Sequence, residues 1–106
     1  MYTDTPDYST IDMIVKSLAA DYERRADAIA KNELDPKVLM EYRYYNTKMF
    51  NAAAEIVGEK EAERYIYDIG NGKGYPKDEA IYISEPLYYK RKLACKRSIA
   101  RALNLM

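Results

Sequence analysis

The sequence predicts an all-α fold: a long antiparallel helical hairpin, then a short helix, then a C-terminal pair of helices resembling a helix-turn-helix. Apolar residues recur at spacings of three and four in successive segments, and helix-capping residues, glycines and prolines separate those segments. The chain has 106 residues, of which 48% are hydrophobic, which argues against disorder. We expect residues 1–8 to form a flexible arm and residues 9–106 a single helical domain, with the hairpin at 9–57 and the helix-turn-helix-like region at 59–106.

The first helix is predicted over residues 10–32, capped by Ser9 or Thr10. One apolar face with helical spacing runs along the whole segment, with charged residues largely off it. Its members are Ile11, Ile14, Val15, Leu18, Ala19, Tyr22, Ala26 and Ile29.

The second helix is predicted to begin at Pro36, because Asp35 followed by proline is a favourable pair for a helix start. Its apolar residues alternate steps of four and three, a near-heptad typical of helices that pack at a shallow angle. They are Val38, Tyr42, Tyr45, Met49, Ala52 and Ile56. We expect this helix to pack antiparallel to the first, and to offer a dimer seam if it extends beyond it.

The third helix is predicted to follow Gly58, which suits a left-handed helix end, and to stop at Gly70. Three glutamates favour its N-terminal end, and its apolar stripe consists of Ala62, Tyr65, Ile66 and Ile69. The glycine-rich sequence GNGKGYP that follows lacks both the lysine-serine or lysine-threonine ending and the preceding strand of a phosphate-binding loop. It is therefore interpreted as a connecting loop.

The last helix is predicted over residues 84–106, with Ser84 as its N-cap and Pro86 in its first turn. An apolar stripe runs along one side and basic residues occupy most of the rest. The stripe consists of Tyr88, Cys95, Ile99, Ala102, Leu103 and Met106, and the cations are Lys90, Arg91, Lys92, Lys96, Arg97 and Arg101.

A short helical segment at 77–83 and a tight turn at Ile83 and Ser84 precede this basic helix. Together they form the elements of a helix-turn-helix, in which the second helix enters the DNA major groove. The alternative is a basic amphipathic helix that packs on its own domain and exposes a solvated charged face.

Charge is distributed unevenly along the chain. Residues 1–63 contain 13 acidic and 8 basic side chains, whereas residues 84–106 contain 1 acidic and 6 basic ones. A basic end suits an anionic partner such as DNA, and an acidic remainder discourages indiscriminate binding. The alternative is that the two parts attract one another, within one molecule or between copies.

The composition offers little for catalysis. The chain has no histidine, which removes the commonest general base and metal ligand, and its single cysteine, Cys95, falls on an apolar stripe. We therefore expect neither enzymatic activity nor a cofactor or metal. No apolar run approaches the length needed to cross a bilayer, and the first residues are unlike a signal peptide, so a cytoplasmic location is expected.

Twelve tyrosines supply most of the aromatic surface. Because the tyrosine hydroxyl needs water or a partner, several should lie at the boundary of the core. Tyr42, Tyr45, Tyr65 and Tyr88 fall on the apolar stripes and are expected inside.

The string ISEPLYYKRKLACKRSIARALNL resembles the C-terminal end of small phage transcriptional regulators of the ArpU and RinA type, which are similar to the fourth region of sigma factors. The resemblance covers about the last 40 residues and is carried by Ile83, Ser84, Tyr88, Tyr89, Lys92, Ile99, Ala100 and Leu103. It implies that Ser84 caps a recognition helix whose Tyr88, Cys95 and Ile99 face the core. It places two groups at the DNA: Glu85, Leu87, Tyr89, Lys90 and Leu93 at the groove, and Lys92, Lys96 and Arg97 at flanking phosphates.

Two functions remain open at this point. The first is a DNA-binding phage or prophage regulator, with a homodimer expected because a domain of this size covers little DNA alone. The second is a helical interaction or phage-assembly module that self-associates through the seam from Tyr42 to Ile56 and does not bind DNA.

Overall fold

A computed structural model describes residues 8–76 and 83–106. Those two ranges contain five helices and no strand, so the predicted all-α fold is confirmed. The helices are α1 (Tyr8–Ala20), α2 (Tyr22–Lys31), α3 (Pro36–Val57), α4 (Glu59–Asn71) and α5 (Glu85–Ala102). The predicted arm, except for Tyr8, and nearly all of the predicted short helix at 77–83 lie outside the described residues.

The predicted first helix is interrupted at Asp21, so that α1 and α2 are separate helices. Arg25, only 4% exposed, stabilises the break: its Nη2 donates to the Leu18 carbonyl at 2.6 Å, and its Nε donates to Asn46 Oδ1 at 2.7 Å. The Asn46 side chain in turn donates to the Tyr22 carbonyl at 3.0 Å. Because of the break, α2 packs against α3 while α1 packs against α4 and α5, and only α2 takes part in the hairpin with α3.

Helix α3 begins as predicted, since the Asp35 carboxylate accepts a hydrogen bond from the Lys37 backbone N–H at 2.9 Å. Within the predicted seam, Met49 and Ala52 are buried, whereas Val38 and Ile56 are 36% and 37% exposed. The seam therefore belongs to the core only in its central part.

Helix α3 ends at Gly58, whose φ of 87° is positive as predicted but whose ψ of 161° is extended rather than left-handed helical. This conformation favours glycine because it has no Cβ. The chain turns there at once into α4, whose predicted stripe is buried throughout: Ala62, Tyr65, Ile66 and Ile69.

Gly70 does not end α4, contrary to the prediction. The helix continues to Asn71, and Gly72 adopts the left-handed conformation that terminates it. Gly70 is buried where α4 crosses α1, and a Cβ at this position would lie 2.6 Å from the Ala20 backbone nitrogen. Its role is to allow the close approach of two backbones. In the sequence alone, a glycine with this role looks the same as a glycine that ends a helix.

Helix α5 closes the core against α3. Cys95 and Ile99 are fully buried as predicted, and so are Ala100 and, almost completely, Ser98, whose hydroxyl donates to the Ala52 carbonyl at 2.9 Å. The helix ends at Ala102 rather than Met106.

The N-terminal half of α5 is attached through tyrosines. The Tyr88 hydroxyl donates to the buried Asp68 carboxylate at 2.6 Å, and the Tyr88 ring stacks on Tyr65 with 5.4 Å between centroids. The Tyr75 hydroxyl donates to the Ile83 carbonyl at 3.0 Å, which joins the two chain segments on either side of residues 77–82. Tyr65 and Tyr88 are in the core as predicted, whereas Tyr42 and Tyr45 are only half-buried.

Candidate nucleic-acid interface

The candidate interface is the side of α5 that faces away from the core. Ser84 caps the helix, accepting a hydrogen bond from the Leu87 backbone N–H at 3.3 Å, and Glu85 follows in the first turn. Glu85 is exposed, whereas Leu87 is partly buried. Of these two predicted groove residues, only Glu85 is fully available to a ligand.

Lys90, Leu93 and Arg101 form a stripe along the exposed side of α5. Leu93 is 48% exposed, a large value for leucine. Arg101 was not among the predicted contacts, although it lies in the last turn of the same basic helix. The stripe therefore combines two cations with an apolar side chain between them.

Tyr89 is 44% exposed, but its hydroxyl accepts a hydrogen bond from the Tyr75 backbone N–H at 3.0 Å. The ring also packs edge-on against Tyr88, with 5.2 Å between centroids. Tyr89 is thus fixed in position by the segment that precedes α5.

Arg97 is engaged within the domain. Its guanidinium donates to the Asp12 carboxylate and lies over the Tyr8 ring, 4.5 Å from the centroid. At this point the basic helix and the acidic front of the chain do attract one another, as the intramolecular alternative predicted. A phosphate contact by Arg97 would have to compete with this ion pair.

Lys92 and Lys96 lie on the flank of α5 that faces α1, where Lys16 joins them around an open groove of about 340 Å³. The Lys92 ammonium donates a hydrogen bond to the Lys73 carbonyl. Burial lowers the pKa of Lys92, and the charges of Lys96 and Lys16 lower it further, against the opposing effect of Asp68. Three ammonium groups therefore share one region of positive potential.

Nothing in the sequence pattern connects Lys16 with α5. Lys16 and α5 lie in opposite halves of the chain. Lys16 follows Val15 in the first predicted helix, where the pattern predicts only a solvent-exposed charge. Only the packing of α1 against α5 brings Lys16 beside Lys92 and Lys96.

Two other cavities lie away from α5. One, of about 190 Å³, lies between α1, α2 and α4, where the Tyr22 hydroxyl donates to Glu63 at 3.0 Å. The other, of about 330 Å³, is a shallow groove between α2 and α3 beside Phe50. In the described ranges no three cysteine or carboxylate side chains are grouped as a metal site would require.

Cys95 lies in the core, and burial raises the pKa of its thiol to about 11. A thiol that stays protonated and inaccessible is a poor nucleophile. Among residues 8–76 and 83–106, no helix combines the length and apolar character needed to span a membrane.

Comparison with protein-family models, curated proteins and solved structures found no match to this chain.

Proposed function

We propose that this protein binds double-stranded DNA through α5 and acts as a small transcriptional regulator of the kind that its C-terminal sequence resembles. The observation that carries the proposal is the charge of α5, which holds six cations and one carboxylate, with Lys90 and Arg101 exposed on its outer side. Phosphate contacts by such side chains supply much of the affinity of proteins for DNA.

The exposed stripe has dimensions suited to a groove. Lys90 and Arg101 are 11 positions apart, or about 16 Å along the helix axis at 1.5 Å per residue. Leu93 lies between them and offers an apolar contact of the type that thymine methyl groups accept. In this arrangement the cations contact phosphates on the two sides of the groove, and Leu93 contacts base edges.

The geometry at the start of α5 also supports the proposal. The N-terminal residues of a recognition helix are those that contact bases, so this end must be held firmly and must remain exposed. The Ser84 cap and the Tyr88–Asp68 hydrogen bond hold it, while Glu85 and Lys90 stay exposed. On the inner side of the C-terminal half of α5, Cys95, Ile99 and Ala100 are buried in the core and anchor the helix.

Fluorescence anisotropy of a labelled mixed-sequence duplex tests the function directly. We expect binding that weakens steeply between about 50 and 200 mM salt, since counterion release makes phosphate contacts salt-dependent. The double variant Lys90→Glu with Arg101→Glu should abolish binding and retain the helical circular dichroism of the wild type.

The matched control is Lys31→Glu with Lys60→Glu, which makes the same change in net charge at exposed positions on α2 and α4. It should bind nearly as the wild type does. Equal losses in both double variants would show that only net charge matters, and retained binding by the α5 variant would refute the proposed interface.

A second candidate function, a self-associating interaction module, is favoured by one observation on α3. Met40 is 74% exposed and Tyr44 46% exposed, one helical turn apart on the same side. Exposed methionine and tyrosine are typical of protein interfaces. If this face carries the function, light scattering will give an oligomer that Met40→Glu dissociates, and DNA will not bind.

A further inference from the structure

The groove between α1 and α5 is lined by more cations than carboxylates. Lys16, Lys92 and Lys96 line it with Asp12, and the Asp12 carboxylate is already paired with Arg97. Within residues 8–76 and 83–106, neither Lys16 nor Lys96 lies within ion-pair distance of a carboxylate. Within these ranges, the charges of Lys16 and Lys96 are therefore not compensated by a direct ion pair.

The groove is also held in shape by the backbone. The Lys92 ammonium is fixed at its rim by the hydrogen bond to the Lys73 carbonyl, which uses one of its three N–H donors. Gly72 forms part of the wall, and a Cβ added there would lie 3.3 Å from the Lys16 Nζ. The left-handed conformation of Gly72 and its lack of a side chain leave room for Lys16 to lie close to the wall.

Gathering three lysines at one place has an electrostatic cost, because like charges disfavour each other's ionisation. Burial is the main cause of the lowered pKa of Lys92, and the charges of Lys96 and Lys16 add to it against the opposing charge of Asp68. An anion seated in the groove would remove the repulsion and accept hydrogen bonds from the ammonium groups.

We propose that this groove binds a phosphate group, supplied by the nucleic-acid backbone in the complex, so that α1 contacts DNA through Lys16 in addition to the contacts made by α5. The inference rests on the proposed function for the source of the phosphate, but the groove itself is lined by α1, Gly72 and the flank of α5 that carries Lys92 and Lys96, and not by the exposed stripe of α5. It assigns to Lys16 a role that the helix-turn-helix resemblance does not include.

The salt dependence of DNA binding tests the contact. One phosphate contact contributes about 0.9 to the slope of log affinity against log salt, and so changes the ratio of the Kd values at 200 and 50 mM by about 3.5-fold. Lys16→Gln should lower this ratio by that factor, without loss of helical circular dichroism, because Lys16 is exposed. Lys60→Gln, at the opposite end of α4 from Gly72, is the matched control and should leave the ratio unchanged.

Inorganic phosphate tests the groove without DNA. Lysine ¹³Cε resonances are followed by NMR as phosphate is added, and those of Lys16, Lys92 and Lys96 should shift together while that of Lys60 does not. Lys16→Gln should weaken the response of the other two.

The outcomes separate the inference from the proposed function. If the wild type binds DNA and Lys16→Gln behaves as Lys60→Gln does, the groove contact is refuted and binding by α5 stands. If the wild type binds no DNA but phosphate shifts the ¹³Cε resonances of the three lysines, the groove binds free phosphate. The proposal that nucleic acid supplies the phosphate is then refuted. If neither DNA nor phosphate has an effect, both proposals are refuted.

Discussion

Gly70→Ala tests the close crossing of α1 and α4, and we expect it to destabilise the fold although alanine is the better helix former. In an exposed helix interior, replacing glycine by alanine stabilises by about 1 kcal/mol. Here the new Cβ would lie 2.6 Å from the Ala20 nitrogen and 2.7 Å from the Ala19 carbonyl carbon. Ordinary contact begins near 3.4 Å, so α1 and α4 would have to separate by roughly 0.8 Å.

Such overpacking costs typically 1–3 kcal/mol, and the upper end applies because the opposing atoms are backbone and cannot rotate away. After the helix-propensity gain is subtracted, the free energy of unfolding should fall by about 2 kcal/mol, and the melting temperature by roughly 8–16 °C. Urea denaturation followed by circular dichroism measures the difference. Asn71→Ala, at the exposed neighbouring position, is the control and should change stability by less than about 0.5 kcal/mol. A neutral or stabilising Gly70→Ala would refute the close crossing of α1 and α4.

Three further predictions concern the core and the start of α5. Tyr88→Phe removes the donor to the buried Asp68 carboxylate and should lower the free energy of unfolding, measured by urea denaturation, by about 1.5–3 kcal/mol. An unchanged urea midpoint would contradict the hydrogen bond. Ser84→Ala removes the N-cap and should lower the free energy of unfolding by about 1 kcal/mol, whereas Ser84→Asp should retain it. Equal losses of stability in the two variants would argue against capping by Ser84. Burial raises the pKa of the Cys95 thiol to about 11, and burial together with the hydrogen bond to Glu63 raises the pKa of Tyr22 to about 12. Because both pKa values are raised in the folded state, the stability that the two neutral side chains contribute is complete below about pH 9 and is lost towards pH 12. A urea midpoint that does not fall between pH 8 and 11 would contradict this.

The features that could be predicted from the sequence are those set by neighbours in the chain. Asp35 with Pro36, and Ser84 with Pro86, fix helix starts through side-chain and backbone groups two or three positions away, and both starts are confirmed. The apolar stripe of α4 is buried as predicted because its period follows from helix geometry alone. Local chemistry was sufficient for each of these.

The break at Asp21 was missed because no residue there is a strong helix breaker. The apolar spacing continues from α1 into α2, and the sequence at the junction contains neither glycine nor proline. What stabilises the break is a set of hydrogen bonds that local sequence does not reveal. Arg25 donates to the Leu18 carbonyl and to Asn46 Oδ1, and Asn46 donates to the Tyr22 carbonyl from 24 positions away. The sequence pattern predicts that Arg25 is a surface charge. Its burial depends on Asn46, which lies 21 positions away.

The break also determines what the candidate interface contains. The sequence predicts one helix over 10–32 that packs antiparallel to the second helix. Because the chain turns at Asp21, α1 lies instead across α4 and α5, where Gly70 admits its backbone and Asp12 pairs with Arg97. That crossing is what places Lys16 beside Lys92. The cationic groove therefore arises from the packing of α1 against α5, and the residue pattern of α5 alone predicts its exposed stripe but not the groove.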